Sequence, residues 1–518
     1  MSDRFVGPAL SLTGARIHAP SSPGATALVV EDGTITFLGS DDGARAVAGG
    51  ATEIDLRGRL LTPAFVDAHL HAVQAGLVAA GLDLHDASSR ADVLDRLAVY
   101  AARRPDGVII GQGWDERSWP DPRFPDRSEL DRASGGRIVY LARVDVHSAA
   151  VSTAVLDRLS GVADVAGFSA DGVLTQQAHH LSRVLVNDLL SDEDRRAAAR
   201  WTLGQVARLG VAAVHELGGP HLGPLADLTR VREVGEEVGL DVTTYWGELA
   251  SGEAFARARS VGAAGLAGDL CVDGSIGSRT AALHTAYADA EHRGVRYLDD
   301  DEIAGHLTEC TRAGLPAGFH CIGDDAVAAA VAGLRRAATE VGAAAVRRTQ
   351  HRLEHVELVA AEDIPTLADL DVAASVQPAF DAEWGWPGEL YELRLGPERA
   401  RTMNPFRSLA RAGVRLAFGT DAPVTPVAGW AMVRAAVHHS RPEERLSVAE
   451  AFAAATEGGH RAAGRVRTGR IAVGWRADLA AWDTATPDGF LPSLEPDEPL
   501  PDCVLTVAGG RVAYSWPD

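Results

Sequence analysis

Two histidines that lie two residues apart are the first candidates for chemistry in this chain. His69 and His71 end an apolar run over 61–68 that is typical of a buried strand. Because residues two apart on a strand point to the same side, both imidazoles can reach one point in space. Neutral imidazole is the most common metal ligand. The pair by itself is equally compatible with two solvated histidines at the end of a surface strand.

Three further residues of metal-binding type stand at the ends of later apolar segments. They are His320, His355 and Asp421. Each one alone is more often a structural polar group than a ligand, but four strand ends that all carry such residues are hard to attribute to chance. Three histidines and a carboxylate that leave one position open are typical of a catalytic zinc site. The pattern therefore predicts a metal centre.

The elements that would position these residues alternate between apolar strands and alanine-rich helices. This alternation is typical of βα units around a parallel sheet. The candidate strands are 61–69, 211–216, 240–247, 268–273, 315–320, 347–355, 372–377 and 414–420. Eight such units are what a (β/α)8 TIM barrel requires, and the active site of that fold lies at the carboxyl ends of the strands. The sequence therefore predicts an α/β protein with a metallohydrolase-type barrel over 59–467.

Two regions depart from a simple barrel. The interval between the first two strands is too long for one helix, so we expect an inserted subdomain over 83–180. The terminal regions 1–58 and 468–518 consist of short β-like runs and turns, which include a hairpin at Asp32-Gly33. We expect them to form one composite β-sandwich domain, and two independent terminal hairpins are the alternative.

Composition and charge restrict the function classes. The chain has 518 residues, which is long enough for one large domain and a smaller one. Its 49 basic and 71 acidic residues give a net charge of −22, which argues against nucleic acid and anionic membrane as partners. We find no signal peptide and no apolar run of roughly 20 residues. The chain is predicted to be cytoplasmic, with a small-molecule substrate and a homodimer as the usual oligomer.

The numbers and positions of cysteine and lysine exclude several kinds of site. The four cysteines form no Cys-x-x-Cys pair, so neither a zinc ribbon nor a disulfide framework is indicated. Every basic residue that contributes to the charge is arginine, and the chain contains no lysine. Schiff-base chemistry, a lysine general base and a carbamylated-lysine metal bridge are therefore excluded.

Several motifs together resemble the amidohydrolase superfamily. The resemblance is strongest to the YtcJ-like branch, amidohydrolase family 3, which includes N-substituted formamide deformylases. The matching stretches are 62–71, 273–283, 320–324, 351–355, 375–378, 419–423 and 474–479. The resemblance implies a metal-dependent hydrolase on a (β/α)8 barrel, with a composite β-sandwich domain and an inserted subdomain.

The resemblance also implies roles for the candidate ligands. His69, His71, His320 and Asp421 would bind the metal or its water, and His355 would be a further ligand or would hold the substrate carbonyl or the water. Bound metal lowers the pKa of water and polarises the carbonyl. Asp421 would take the proton of that water and pass it to the leaving nitrogen.

One position departs from the family pattern. Relatives often carry a lysine, which can bridge two metals when carbamylated, at the position where this chain has Asp269. We therefore favour a single metal ion, with Zn²⁺ as the expected metal. The alternative is a second metal held through Asp269, Cys271 or Glu216.

Weaker candidates for the substrate pocket are His147, Trp114, Asp273, Arg279 and Gln377. Each has a structural alternative: His147 could be a surface loop residue, and Trp114 could pack inside the insertion. Arg279 could bind a substrate carboxylate, although we favour an anchor for the glycine-rich turn before it. The adjacent His179 and His180 are predicted to be ordinary surface residues.

These observations favour hydrolysis of a C–N bond, of the amide or N-formyl type, in a small molecule. A single-metal deaminase of a ring amine or amidine is the nearest alternative. A barrel that has lost activity and serves as a binding or regulatory protein is a third, although the intact set of histidines and aspartate argues against it.

Overall fold

The computed structural model describes residues 9–104, 106–485 and 490–516. Strands and helices alternate through most of the described chain. The strands are β1 (Ala9–Thr13), β2 (Arg16–Ile17), β3 (Ala27–Glu31), β4 (Thr34–Gly39), β5 (Thr52–Asp55), β6 (Leu60–Pro63), β7 (Phe65–Leu70), β8 (Leu82–Asp83), β9 (Ile109–Trp114), β10 (Val139–Arg143), β11 (Ser148–Val151), β12 (Val173–Thr175), β13 (Val211–Gly218), β14 (Asp241–Trp246), β15 (Gly318–Cys321), β16 (Arg352–His355), β17 (Ala373–Val376), β18 (Arg415–Phe418), β19 (Leu479–Asp483), β20 (Asp502–Ala508) and β21 (Arg511–Ser515).

The α-helices of the described residues follow the strands in most of the central region. They are α1 (Asp41–Val47), α2 (Ala72–Ala80), α3 (Arg90–Arg103), α4 (Arg127–Ser134), α5 (Thr153–Leu156), α6 (Gln176–Asp188), α7 (Asp192–Arg208), α8 (Ala226–Val238), α9 (Gly252–Ser260), α10 (Asp300–Ala313), α11 (Asp324–Ala337), α12 (Ala343–Thr349), α13 (Ile364–Asp369), α14 (Pro378–Trp384), α15 (Leu390–Leu395), α16 (Pro397–Ala400), α17 (Phe406–Arg411), α18 (Trp430–Val437), α19 (Val448–Ala453) and α20 (Gly459–Ala462). None of these helices is both long and apolar enough to cross a membrane.

Both ends of the chain contribute to one region of β-structure. One sheet has the order β4-β3-β1-β5, and a second has the order β2-β6-β19-β20-β21. The antiparallel pairing of β6 with β19 joins the two ends directly. Their apolar side chains share one core, formed among others by Leu12, Leu28, Ile35, Leu61, Leu479, Leu505 and Val507. The two ends therefore pack together. Residues 1–8, 486–489 and 517–518 of the predicted terminal domain lie outside the described residues.

The long interval after β7 contains a sheet of its own. Its order is β12-β11-β10-β9-β8, and it lies between α2 and α7 in the chain. Apolar residues on its two sides form separate clusters. One cluster joins Trp114 to Leu97 of α3 and Leu130 of α4, and the other joins Tyr140 to Val155 of α5 and Val186 of α6. This region between α2 and α7, called the insertion below, thus has an apolar cluster on each face of its sheet.

The remaining central strands form two parallel sheets, β14-β13-β7 and β15-β16-β17-β18. Hydrogen bonds join them on both sides. On one side, the Asp421 amide donates to the His69 carbonyl at 2.8 Å. On the other side, segment 264–272 bonds to both neighbouring strands: Ala264 donates to Thr244 at 2.7 Å and Leu266 donates to Pro316 at 2.9 Å. The carboxyl ends of these parallel strands consequently face the same side of the molecule.

Two predicted strands differ from the observed ones. The predicted strand 268–273 makes only isolated bridges, such as Cys271 with His320, because Gly268 takes a left-handed conformation with φ of +88° that interrupts a regular ladder. The predicted strand 347–355 is helical up to Thr349. Gln350 has a φ of +57° and ends that helix before β16 begins.

Candidate metal centre

Six polar side chains meet where the parallel strands end. They come from β7, β15, β16, the residues after β7 and β18, and segment 264–272: His69, His71, Asp269, His320, His355 and Asp421. Three sets of three have ligand atoms that all lie within 4.8 Å of one another: His69, His71 and Asp269; His69, His355 and Asp421; Asp269, His320 and His355. The overlapping sets define one continuous cluster of candidate ligands.

Two carboxylates lie between the imidazoles of this cluster. His71 Nε2 is 3.1 Å from Asp269 Oδ2 and 3.1 Å from Asp421 Oδ1. His69 Nε2 is 3.3 Å from Asp421 Oδ1 and 3.5 Å from Asp269 Oδ1. His320 Nδ1 is 3.8 Å from Asp269 Oδ1. Asp269 therefore contacts three histidines and occupies the middle of the cluster.

Several atoms of the cluster are buried without a hydrogen-bond partner in the described part of the chain. They are His69 Nε2, Asp269 Oδ1 and His355 Nε2. An unsatisfied buried polar group costs about 1–3 kcal/mol. A divalent cation between these atoms would satisfy imidazole nitrogens and carboxylate oxygens at once. The donor set therefore fits a metal of the zinc type.

Each histidine of the cluster is oriented through the ring nitrogen that points away from its candidate metal position. Such contacts fix the tautomer and the orientation of metal-binding imidazoles. The contacts are His69 Nδ1 to Glu354 Oε2 at 3.0 Å, His71 Nδ1 to the Leu217 carbonyl at 2.8 Å, His355 Nδ1 to Gln377 Oε1 at 2.8 Å, and His320 Nε2 to the Gly274 carbonyl at 3.3 Å. Three Nε2 atoms and one Nδ1 atom are thereby left to act as ligands.

The two carboxylates of the cluster stabilise positive charge on the neighbouring histidines. Burial alone would lower the pKa of His69, but the carboxylates of Asp421 and Asp269 outweigh it and raise the pKa to about 10. The same carboxylates raise the pKa of His71 well above its usual range. Burial opposes ionisation of Asp269 and Asp421, yet the neighbouring histidines hold both pKa values well below the usual range. Both aspartates are therefore anionic at neutral pH.

Backbone strain is also found at the cluster. His355 has a φ of +70° and Asp421 a φ of +54°, which is the left-handed region that residues with a Cβ rarely adopt. The turn at Asp421 is held by its neighbour, since Thr420 Oγ1 donates to Asp67 Oδ2 at 2.6 Å. Residues kept in such conformations cluster at functional sites, where the surrounding structure over-determines them.

Comparison with known proteins agrees with this geometry. The model of the amidohydrolase family matches residues 52–514. The chain belongs to the amidohydrolase family. It is 26% identical to protein YtcJ of Bacillus subtilis (strain 168), over 94% of this chain and 96% of that one. It is 22% identical to an N-substituted formamide deformylase of Arthrobacter pascens, over 89% of this chain and 90% of that one.

A solved structure is also similar. The crystal structure of an uncharacterized metal-dependent hydrolase from Pyrococcus furiosus matches with a TM-score of 0.72 and 26% identity, over 92% of this chain and 99% of that chain. The resemblance seen in the sequence is thus confirmed. The protein is an amidohydrolase-family hydrolase with mixed α/β structure.

The residues predicted as alternative ligands divide into two groups in this amidohydrolase. Asp269 belongs to the cluster, whereas Glu216 and Cys271 belong to none of the three ligand sets found among the described residues. Glu216 Oε2 accepts a hydrogen bond from the Ala72 amide at 2.8 Å, and burial raises its pKa to about 7. Burial also raises the pKa of the Cys271 thiol well above its usual range.

Two of the predicted pocket residues lie at the site. The rings of His147 and His320 are 5.3 Å apart, and His147 lines the cavity beside the cluster. Gln377 holds His355, as described above, and so acts on a candidate ligand rather than on open space. His147 comes from the insertion, which therefore supplies part of the wall around the metal cluster.

Trp114 is found elsewhere. It is fully buried and packs against Phe124 with ring centres 4.1 Å apart, and its Nε1 donates to the Leu141 carbonyl at 3.1 Å. Its place is the core of the insertion, because the large indole fills the space between the sheet and its helices. The prediction that His179 and His180 are surface residues is wrong. Both are buried, since α6 turns them towards Tyr140 and His221 rather than towards solvent.

Asp273 and Arg279 hold loops instead of facing the cavity. Asp273 accepts hydrogen bonds from the amides of Ala282, Ile322 and Gly323 at 2.8–3.0 Å. These bonds tie the loop after β15 to the segment that follows 264–272. Arg279 Nη2 pairs with Asp289 Oδ2 at 2.7 Å, and the predicted role of Arg279 as an anchor for the preceding glycine-rich turn stays a prediction.

Two residues that support the site, Glu354 and Arg183, were not singled out from the sequence, whereas Arg352 was expected to have a supporting or structural role. Arg352 and Glu354 alternate with Leu353 and His355 on β16, so one strand carries both a ligand and the pair that orients His69. The spacing of two between Arg352 and Glu354 was a usable signal, because such residues share one side of a strand. Arg183 of α6 also lines the cavity, and its spacing from His179 and His180 puts it on their side of the helix.

Proposed function

We propose that this protein hydrolyses a C–N bond, of the amide or N-formyl type, in a small molecule. One observation carries the proposal: ligand atoms of His69, His355 and the anionic Asp421 lie within 4.8 Å of one another, and Nε2 of both imidazoles is buried without a hydrogen-bond partner among the described residues. Similarity to the N-substituted formamide deformylase of Arthrobacter pascens supports this bond type.

The proposal includes the architecture that positions the site. We propose a (β/α)8 barrel over 59–467, in which segment 264–272 takes the place of the fourth strand between β14 and β15. The hydrogen bonds on both sides of the two parallel sheets support it. The region 83–180 is the inserted subdomain, and 1–58 with 468–518 is the composite β-sandwich domain. A homodimer stays a prediction.

His69, His71, Asp269 and Asp421 would hold one divalent metal, with zinc as the expected ion. A second ion would use Asp269 together with His320 and His355, because Asp269 belongs to both ligand sets. When bound, such a metal acidifies water and polarises a carbonyl group. His355 Nδ1 donates to Gln377 Oε1, so its Nε2 carries a lone pair and can bind a metal or accept a proton from water.

Asp421 is the proposed proton carrier. Its carboxylate is anionic at neutral pH and can take a proton from the attacking water as the oxygen adds to the carbonyl carbon. The same carboxyl group then gives this proton to the nitrogen as the C–N bond breaks. The products are a carboxylate, or formate, and an amine.

Metal content and turnover test the proposal together. We would measure metals by elemental analysis on untagged protein, and then assay N-formyl, N-acyl and ring-amine compounds for amine or ammonia release. We expect at least one zinc-type ion per chain, amine release from amides, and loss of metal in His69→Ala. Ammonia release from ring amines alone would favour a deaminase. Absence of metal and of turnover after reconstitution would overturn the proposal.

A further inference from the structure

A cavity opens beside the metal cluster, between the barrel strands and the insertion. On one side it is lined by the cluster residues His71, Asp269, His320 and Asp421. On the other side most of its wall is apolar: Leu77, Val78, Ile110, Val146, Val186 and Leu222. Such a lining suits a ligand with an apolar body and few polar groups. In such a cavity, the few polar groups of the wall determine which ligands bind.

Gln74, Gln112, Tyr140 and Asn187 are uncharged polar residues of the cavity, and Arg183 adds a positive charge. It is half-buried on α6, and it is the one arginine among the described residues that line the cavity. Its Nη2 donates to the Val146 carbonyl at 3.1 Å and lies 3.5 Å from His179 Nδ1. Its Nε has no hydrogen-bond partner in the described chain. No Asp or Glu oxygen of the described residues pairs with it within 4.0 Å.

Fully buried arginines elsewhere in the molecule are paired with carboxylates. Arg143 pairs with Asp145 at 3.1 Å, Arg195 with Asp227 at 2.8 Å, and Arg352 with Glu354 at 3.0 Å. A charge that leaves water without a counterion is costly, so buried charges are normally paired. The fold thus supplies a carboxylate to these fully buried arginines, whereas half-buried Arg183 bonds to neutral acceptors at the wall of the cavity.

The groups around Arg183 do not compensate for its charge. The neighbouring imidazoles of His147, His179, His180 and His221 are neutral near pH 7, because burial lowers their pKa values, to about 4 for His147 and about 2 for His180. The next largest cause is His320 for His147 and the guanidinium of Arg183 for the other three. The carboxylates of the cavity, Asp269 and Asp421, are already engaged by the histidines of the cluster.

We propose that Arg183 binds a carboxylate of the substrate, so that the substrate is an anionic amide whose carboxylate is joined to the scissile group by an apolar body. This inference rests on the proposed function. A carboxylate fits better than a phosphate, because one guanidinium can offer two parallel N–H bonds to a planar carboxylate but only one unit charge. The apolar part of the cavity wall would contact the body of the substrate.

Matched substrates test the selectivity of the wild-type, metal-loaded protein. A set of N-formyl and N-acyl compounds that end in a carboxylate would be compared with their methyl esters and primary amides. We expect kcat/KM to be at least about 10-fold higher for the carboxylates, from the usual strength of charge-assisted hydrogen bonds. Equal or higher values for the uncharged partners would overturn the inference.

The variant Arg183→Met removes the charge while it keeps most of the volume. We expect kcat/KM for carboxylate substrates to fall about 10- to 100-fold and kcat/KM for the neutral partners to change less than about 3-fold. Arg183→Lys should restore part of the loss. Arg117→Met, also in the insertion but paired with Asp115 at 2.7 Å, is the control and should leave the ratio unchanged. Equal losses for charged and neutral substrates in Arg183→Met would contradict the assignment.

Binding measurements test the role of Arg183 independently of the proposed hydrolysis. If no compound is turned over, calorimetric titration with 4-phenylbutyrate, its amide and inorganic phosphate still tests Arg183 in the metal-loaded wild type and in both methionine variants. We expect binding of the carboxylate that is weakened at least about 10-fold in Arg183→Met and unchanged in Arg117→Met. Carboxylate binding that is indifferent to Arg183, or binding of phosphate in preference to it, would overturn the inference, whatever the fate of the hydrolase proposal.

Discussion

His71 Nε2 lies 3.1 Å from Asp269 Oδ2, and this contact brings an aspartate to the centre of a cluster of four histidines. Asp269 stands where the family resemblance leads one to expect a lysine, in a chain that has no lysine at all. The carboxylate belongs to two ligand sets at once. An oxygen-donor group is therefore available between two candidate metal positions without any modified side chain.

We expect Asp269→Ala to lose bound metal and to reduce activity by more than about 100-fold. The reason is that Asp269 contacts three histidines and carries negative charge into a buried site. Metal content by elemental analysis and kcat/KM would be measured in parallel. Cys271→Ser, in the same segment but outside every ligand set of the described residues, is the control and should retain its metal. Normal metal content in Asp269→Ala would remove Asp269 from the site.

Asp421→Asn should lower kcat by about 10²- to 10⁴-fold while most of the metal remains bound. The amide keeps an oxygen ligand but cannot take a proton from water, which is the range expected when a general base is lost. Single-turnover kinetics and metal analysis on the same preparation would separate the two effects. Glu216→Gln removes a nearby buried carboxyl that is outside the ligand sets, and its activity should stay within a few-fold of wild type. A fully active Asp421→Asn variant would exclude Asp421 as the proton carrier.

Two helical glycines offer a matched pair for the packing of α2 on α7. A Cβ at Gly76 would lie 2.1 Å from the Ala198 carbonyl oxygen, whereas a Cβ at Gly204 would meet nothing within 4 Å. We expect Gly76→Ala to lower the free energy of unfolding by about 1–3 kcal/mol because the helices must move apart. Gly204→Ala should instead raise it by up to about 1 kcal/mol through helix propensity. Urea unfolding of both variants checks the prediction, and equal effects would contradict it.

Buried His351 should make stability depend on pH. Burial lowers its pKa to about 3, and the ring accepts a hydrogen bond from the Ala317 amide at 2.9 Å. Because the folded pKa lies below the unfolded value of about 6.5, the unfolded chain takes up a proton first as the pH falls. Stability from this group is fully present above about pH 6.5 and is lost progressively towards pH 3.

Protonation of His351 in the unfolded chain lowers the free energy of unfolding by about 2 kcal/mol between pH 7 and pH 5. His351→Gln should be less stable than wild type at pH 7, and this difference should shrink by about that amount at pH 5. Urea unfolding at the two pH values measures it. The exposed residue His284 provides the control, and His284→Gln should follow the wild-type pH dependence. A difference between His351→Gln and wild type that is constant with pH would refute the assignment.

Local sequence was sufficient to predict much of the candidate ligand cluster. His69 and His71 lie two apart after a buried strand, and His320, His355 and Asp421 stand where later strands end, so period-two geometry and the parallel arrangement already brought them to one side of the molecule. All five belong to the ligand sets of the described structure. The family was also recognisable, because its motifs are short and contiguous. These properties depend on residues close together in the chain.

Tertiary structure alone determined the rest. The sequence left Asp269, Cys271 and Glu216 as alternative ligands, and Asp269 is the one that reaches the centre because segment 264–272 runs between β14 and β15 with an irregular ladder. Trp114, His179 and His180 were misplaced because the burial of a side chain depends on which helices cover the inserted sheet. Arg183 lacks a counterion only because no acidic residue of a distant segment approaches it. Such features result from contacts between residues far apart in sequence, so they could not be deduced from spacing or composition.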